Sequence, residues 1–174
     1  LLHTLRFKSF DLWSCPLNWL AEQVKTMTNF DSNKVQVIPS GLDLSTFGRL
    51  KTREEARKEL DLPQVSLIIG LIGRFDIQKG QLLLIDALAK AQNKHFKICF
   101  LGEPNKEDTS DYANQMEQRV KDKNLENRVF IRPFRKDVTT FYNAIDAFVM
   151  ATKAETFGMV TIEAMSCGTP VIAS

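Results

Sequence analysis

The sequence is poor in the side chains that most enzymes use as nucleophiles and bases. Its 174 residues hold two histidines and three cysteines. His3 and His95 each stand alone, and no Ser/His/Asp or Cys/His grouping is present, which argues against triad-type hydrolysis. Cys15, Cys99 and Cys167 are odd in number and widely spaced, and two of them sit within apolar runs. That pattern fits reduced thiols in a cytoplasmic protein rather than a disulfide framework or a zinc site. Charge of one sign is also lacking: 23 Lys and Arg against 21 Asp and Glu leave a formal net charge of +2. A balance that small does not imply nucleic acid or an anionic membrane surface as a general partner. No apolar run reaches the roughly 18 residues of a spanning helix. The opening LLHTLRFKSF has neither the apolar centre nor the cleavage site of a signal peptide. The familiar nucleotide fingerprints are missing too. Gly70, Gly73 and Gly80 do not have G-x-G-x-x-G spacing, and no G-K-[ST] follows a glycine loop.

What remains is a chain with 44% hydrophobic and 25% charged residues, enough for one sizeable core. Residues 12–27 suggest a strand edge and a short amphipathic helix entered at Pro16, with Leu17, Leu20, Ala21 and Val24 on one face. A brief strand over 35–38 ends at Pro39-Ser40-Gly41, and Thr52 with Glu55 forms a capping-box pattern for a charged helix reaching Leu60. From Val65 buried strands alternate with helices, the mark of an α/β domain with a parallel sheet. The expected strands are 65–72, 96–101, 129–131, 147–150 and 171–172, with four helices between them. Ligands of open α/β sheets gather beyond the carboxyl ends of the strands. The loops at Gly73, Gly102, Pro133 and Thr152 should therefore share one edge.

Two stretches on that edge carry chemistry. In Gly73-Arg74-Phe75-Asp76-Ile77-Gln78-Lys79-Gly80, Arg74 can grip phosphate oxygens in a planar fork and Lys79 adds a point charge. Together they suit a diphosphate; the plainer reading is a solvated loop. In Ala151–Ser174, Glu155 and Glu163 bracket the start of a helix opening near Gly158, with seven residues between them. On one helix they would stand about 80° apart, so Glu155 belongs in the preceding loop. The unpaired amides around Gly158, Met159, Val160 and Thr161 favour an anion. Glu163 is the one charge on a helix apolar on both faces, so something must donate hydrogen bonds to it: ribose hydroxyls, or a structural partner such as a buried Arg or a backbone N–H. Glu155 alone could simply complement the helix dipole.

These residues resemble the retaining nucleotide-sugar-dependent glycosyltransferases of the GT-B fold, family four, often called group 1. The resemblance spans about residues 35–174, through VIPSGLDLSTF, GRFDIQKG, RVFIRPF and the E-x7-E stretch followed by AMSCGTPVIAS. It implies an α/β, Rossmann-like three-layer domain with a mainly parallel sheet, one half of a two-domain enzyme and cut short at its carboxyl end. Residues 1–34 would be the end of the amino-terminal domain and the connection from it, and 35–174 the incomplete nucleotide-sugar-binding domain. Arg74 and Lys79 would hold the donor diphosphate and stabilise the leaving group, and Glu163 would hold the ribose hydroxyls. Glu155 would sit against the donor sugar, Phe157, Gly158, Met159 and Val160 would meet sugar and phosphate, and the loop at Phe134 and Arg135 would line the base. The implied donor is a UDP-, GDP- or ADP-sugar, and the acceptor a carbohydrate or lipid-linked molecule bound through the amino-terminal domain. No metal or other cofactor is expected, and the location implied is the cytoplasm, any peripheral membrane contact falling to the amino-terminal domain. The fragment alone is not expected to transfer sugar, and a non-catalytic nucleotide-sugar-binding module is the rival reading. The chain departs from the family at Ser40, Pro133 and Ala151-Thr152, where Asn, Gly and Pro-Ser are common. Pro133 removes a backbone donor near the base.

Overall fold

The computed structural model describes residues 10–28, 30–104, 111–153 and 155–173. They fall into two compact units, Leu1–Leu42 with Glu155–Met159, and Asp43–Ala154 with Val160–Ser174. In the first, strand β1 (Trp13–Cys15) leads into helix α1 (Asn18–Met27) and returns to strand β2 (Val35–Val37), which pairs with β1 in parallel. Ala21 and Val24 face inward, as the apolar spacing predicts, while Leu17 and Leu20 are only half-buried. β2 takes its hydrogen bonds from β1, and both strands lie in this first unit, which runs to Leu42.

The second unit opens with helix α2 (Arg53–Glu59), whose capping box is formed as expected: Thr52 Oγ1 accepts from the Glu55 N–H, and the Glu55 carboxylate accepts from the Thr52 N–H. The sheet follows as β3 (Leu67–Ile72), β4 (Phe96–Gly102), β5 (Val129–Pro133), β6 (Ala147–Met150) and β7 (Val171–Ala173), with α3 (Gln81–Lys90), α4 (Tyr112–Asp122), α5 (Val138–Ala144) and α6 (Met159–Ser166) between successive strands. All pairings are parallel and the spatial order is β5-β4-β3-β6-β7. This is the expected α/β architecture. The first strand begins at Leu67, two residues late, and Pro133 is the last residue of β5 rather than part of the following loop. Proline is tolerated there because β5 is an edge strand.

Period-two alternation along the strands builds a core on each face of the sheet. Ile98 and Phe100 point into one core with Leu71, Ile85, Tyr112 and Met116. Cys99 and Leu101 point into the other with Ile68, Phe141, Tyr142, Phe148 and Ala164. The result is three layers. At the amino-terminal end of the strands a buried guanidinium ties helix to sheet: Arg57 donates to Ala144 O at 2.9 Å, Gln64 O at 2.8 Å and Asp146 Oδ2 at 2.7 Å. The same Asp146 oxygen accepts the Ile68 N–H at 2.7 Å. Among the described residues, no helix is long and apolar enough to cross a membrane.

The strand order sets where a ligand can enter. After β3 the chain moves outward through β4 and β5, then returns to place β6 on the other side of β3. The loops leaving β3 and β6 therefore start from adjacent strands at the point where the strand order reverses, the place where ligands of open α/β sheets commonly bind.

Candidate functional site at the carboxyl edge of the sheet

The loop after β3 is rigid by construction. Gly73 N–H donates to Leu101 O at 3.0 Å and Phe75 N–H to Glu103 O at 2.9 Å, and the Phe75 ring is buried as an anchor. Asp76 closes an Asx turn, its Oδ1 accepting the Gln78 N–H at 2.8 Å and its carbonyl the Lys79 N–H at 3.1 Å. Gln81, wholly buried, donates Nε2–H to Arg74 O at 2.8 Å. With the backbone so held, the Arg74 side chain stands 65% exposed, its Nε 3.9 Å from Asp76 Oδ2. The half-buried Lys79 lays its stem across Gly73, 3.7 Å from where a Cβ would sit. Both cations thus belong to one preformed loop. At the start of α3 the Leu82 N–H is already engaged, donating to the Tyr112 phenol oxygen at 3.3 Å.

This loop is joined to the one after β6. The Gln78 carbonyl accepts both the Thr152 hydroxyl at 2.9 Å and the Lys153 N–H at 3.0 Å. Gly80, at φ +76°, lies so close to Ala151 that an added Cβ would fall 2.3 Å from the Ala151 carbonyl oxygen. Gly102 is equally close to Gly73, its would-be Cβ 2.0 Å from Gly73 O. The loops at Gly73, Gly102 and Thr152 therefore share one edge, as expected, and Pro133 joins them by pairing with Gly102.

Glu163 lies half-buried on the second turn of α6. Its Oε2 accepts the Tyr142 O–H at 2.8 Å. The partner is neither a buried Arg nor a backbone N–H but a phenol 21 residues upstream. A signal for it existed: Tyr142 is one of two tyrosines, and it lies in a segment where a buried phenol needs a hydrogen-bond partner. Burial and the adjacent Glu163 carboxylate push the Tyr142 phenol far up, so it remains a donor.

Of the other expected site residues, Val160 lies with Arg74, Lys79 and Glu163 in the larger unit, whereas Glu155, Phe157, Gly158 and Met159 fall with the smaller one. Glu155 is exposed, and its Oε1 accepts the Thr156 N–H at 3.0 Å. Gly158, at φ +78°, turns the chain into α6. Arg135 does follow β5 at the same sheet edge, but its guanidinium turns toward α2. It pairs with Glu59 and, at 3.4 Å, with Asp137, in a cluster that also holds Lys51. Opposite charges on α2 and ahead of α5 outbid an open loop for this side chain. Phe134 stays 53% exposed.

A hollow of about 300 Å³ at the carboxyl ends of β4 and β5 is lined by Phe75, Glu103, Met116, Arg132 and Pro133 among others. A larger one, about 580 Å³, lies at the opposite, amino-terminal edge beside Arg53, Asp146 and Gly168. Two of its cations are already drawn into ion pairs, Arg53 with Asp146 at 3.2 Å and Lys51 with Glu59, so size alone does not make it the site. Among the described residues, no group of three or more His, Cys, Asp and Glu side chains is placed to hold a metal.

Comparison with known proteins places the fold in a family. The family model for glycosyl transferases, group 1, matches residues 52–174. The D-inositol 3-phosphate glycosyltransferase of Kineococcus radiotolerans is 30% identical over 152 residues, which are 83% of this chain and 35% of that protein. The enzyme of the same name from Mycobacterium sp. (strain KMS) is 30% identical, covering 88% of this chain and 35% of its own length. The chain thus spans about a third of the length of these curated relatives. Among solved structures, Anabaena HepE in complex with UDP and glucose superposes with a TM-score of 0.87 at 26% identity, over 97% of this chain and 45% of that one. The carboxyl-terminal domain of a group 1 glycosyl transferase from Francisella tularensis superposes with a TM-score of 0.66 at 28% identity, over 76% of this chain and 70% of that one. The architecture is that of one Rossmann-like half of a GT-B protein, and the chain belongs to the group 1 glycosyl transferases.

Proposed function

We propose that this chain is the donor-binding part of a retaining glycosyltransferase, which moves a sugar from a nucleoside-diphosphate sugar to a carbohydrate or lipid-linked acceptor held by an amino-terminal domain of the full-length protein. The observation that carries the reading is that the Arg74/Lys79 loop and the start of the loop after β6, at Thr152 and Lys153, leave adjacent strands and are joined at the Gln78 carbonyl. Arg74 and Lys79 take the diphosphate and stabilise it as the glycosidic bond breaks, a fixed positive field aimed at the leaving group. Glu163 accepts from the ribose hydroxyls. Glu155 orients the donor sugar, and Phe157 to Val160 line the sugar and phosphate. Arg135 reaches the base by exchanging its ion pairs with Glu59 and Asp137. The reading assigns no metal or prosthetic group, and it places the protein in the cytoplasm.

HepE is described in complex with UDP-glucose as well as with UDP, which favours a uridine donor. Titration of UDP, GDP and ADP into the parent chain and into Arg74→Ala and Glu163→Ala tests both points. One charge-assisted hydrogen bond contributes about 1.5–3 kcal/mol, so each variant should lose roughly 10- to 100-fold in affinity. Unchanged binding in both variants would remove the site assignment, and preference for GDP or ADP would remove the uridine reading.

A further inference from the structure

We propose that Tyr142 is a positioning residue for the donor: its phenol fixes the Glu163 carboxylate through one oxygen and leaves the other directed at the ribose. The inference rests on the assignment of Glu163 to the ribose hydroxyls. Tyr142 is fully buried on α5, where every residue from Thr139 to Ala144 is buried. Its ring meets Phe141 edge-on at 5.9 Å and Phe148 at 5.7 Å. Its backbone is held as well, because the Thr169 hydroxyl donates to Tyr142 O at 2.9 Å. The phenol oxygen is therefore held in place, with Glu163 Oε2 2.8 Å away to receive its proton.

An ionised carboxylate has about four acceptor positions on two oxygens. Tyr142 uses one of them on Oε2, while Glu163 Oε1 accepts from no described residue. Glu163 is otherwise a flexible side chain on a helix whose neighbours, Ile162 and Ala164, offer no hydrogen bond to it. The phenol replaces that freedom with a set carboxylate plane before any ligand arrives, and preorganisation of this kind appears as affinity. A vicinal diol fits what remains, one hydroxyl on Oε1 and the other on the spare position of Oε2. A ligand without those hydroxyls gains nothing from the arrangement.

The test compares UDP with 2′,3′-dideoxy-UDP on the chain and on Tyr142→Phe, which keeps the ring packing and removes only the O–H. Both ligands are titrated on one preparation, so any loss of folded protein cancels from their affinity ratio. UDP should bind Tyr142→Phe about tenfold more weakly than the parent, the scale of one hydrogen bond to a charged group, while dideoxy-UDP binding stays within about twofold. Equal losses for both ligands, or no loss for either, would overturn the positioning role. Glu163→Gln separates the two layers of the argument. If it collapses the UDP preference and Tyr142→Phe does not, only the inference about Tyr142 fails. If Glu163→Gln leaves the preference intact, or the parent shows none, the ribose assignment fails and takes this inference with it.

Discussion

Gly80→Ala is the sharpest probe of how the two loops proposed to hold the donor are joined. Gly80 sits at φ +76°, ψ +20°, a left-handed conformation, immediately before α3. For a residue with a Cβ that conformation costs about 1–2 kcal/mol. The added methyl would also stand 2.3 Å from Ala151 O and 3.0 Å from Ala151 Cβ. A carbon and a carbonyl oxygen normally approach to about 3.3 Å, so the loops must part by about 1 Å. Overpacking of that kind costs about 1–3 kcal/mol. The two effects sum to roughly 2–5 kcal/mol of lost stability. Separating the loops also moves Gln78 from Thr152 and Lys153, so nucleotide affinity should fall in molecules that remain folded. Gly41→Ala is the matched control, since a Cβ there meets nothing within 4 Å, and its effect should stay within about 0.5 kcal/mol. Urea unfolding at constant m gives the stability change, and titration of UDP gives the affinity. A loss below about 1 kcal/mol for Gly80→Ala, with unchanged nucleotide binding, would refute the argument that this close approach assembles the site.

Two further outcomes concern the frame around these loops. Arg57→Met should destabilise the fold by about 3–5 kcal/mol, because it strips Asp146 of its buried partner and leaves the Ala144 and Gln64 carbonyls without their donor; an unfolding midpoint close to the parent's would count against that. The second outcome is a pH dependence set by the Lys51 cluster. Hydrogen bonding to Thr140 holds the Asp137 carboxyl below its usual 3.8, and hydrogen bonding to Lys51 holds Glu59 below its usual 4.5. Both contribute stability that is complete above the ordinary carboxylate range and is lost as pH falls through their depressed values. Lys51, raised above 10.5 chiefly by Glu59, contributes below that value and loses its contribution as pH rises through its folded one. Lys51→Met should therefore flatten the acid arm of a urea-midpoint profile, and an unchanged slope between about pH 3 and 5 would show the cluster to be electrostatically idle.

Local pattern made much of this protein legible. The capping box at Thr52 and Glu55, the alternation from Val65 onward and the Arg74/Lys79 loop each depend on neighbours a few residues away, and each is found where the spacing puts it. Strand ends were less legible. Pro133 looked like a loop residue because proline cannot donate, and only the edge position of β5 explains its place in a strand. The partners of the candidate site residues were less legible than the elements that carry them. That Glu163 required a hydrogen-bond donor followed from its apolar helix; that the donor is Tyr142 did not, because 21 residues and a strand separate them. Arg135 shows the same limit from the other side, since its pairing with Glu59 depends on α2 packing near the end of β5.

By itself, then, the sequence determined the element types, the shared edge of the loops at Gly73, Gly102 and Thr152, and the loop that carries Arg74 and Lys79, because all of these rest on short-range spacing and on the chirality of strand–helix–strand connections. Tertiary structure alone decided which carboxylate oxygen is already engaged, which cation is drawn into an ion pair, and how closely Gly80 meets Ala151. Those are contacts between residues distant in the chain, and their energies follow from packing that no local pattern encodes.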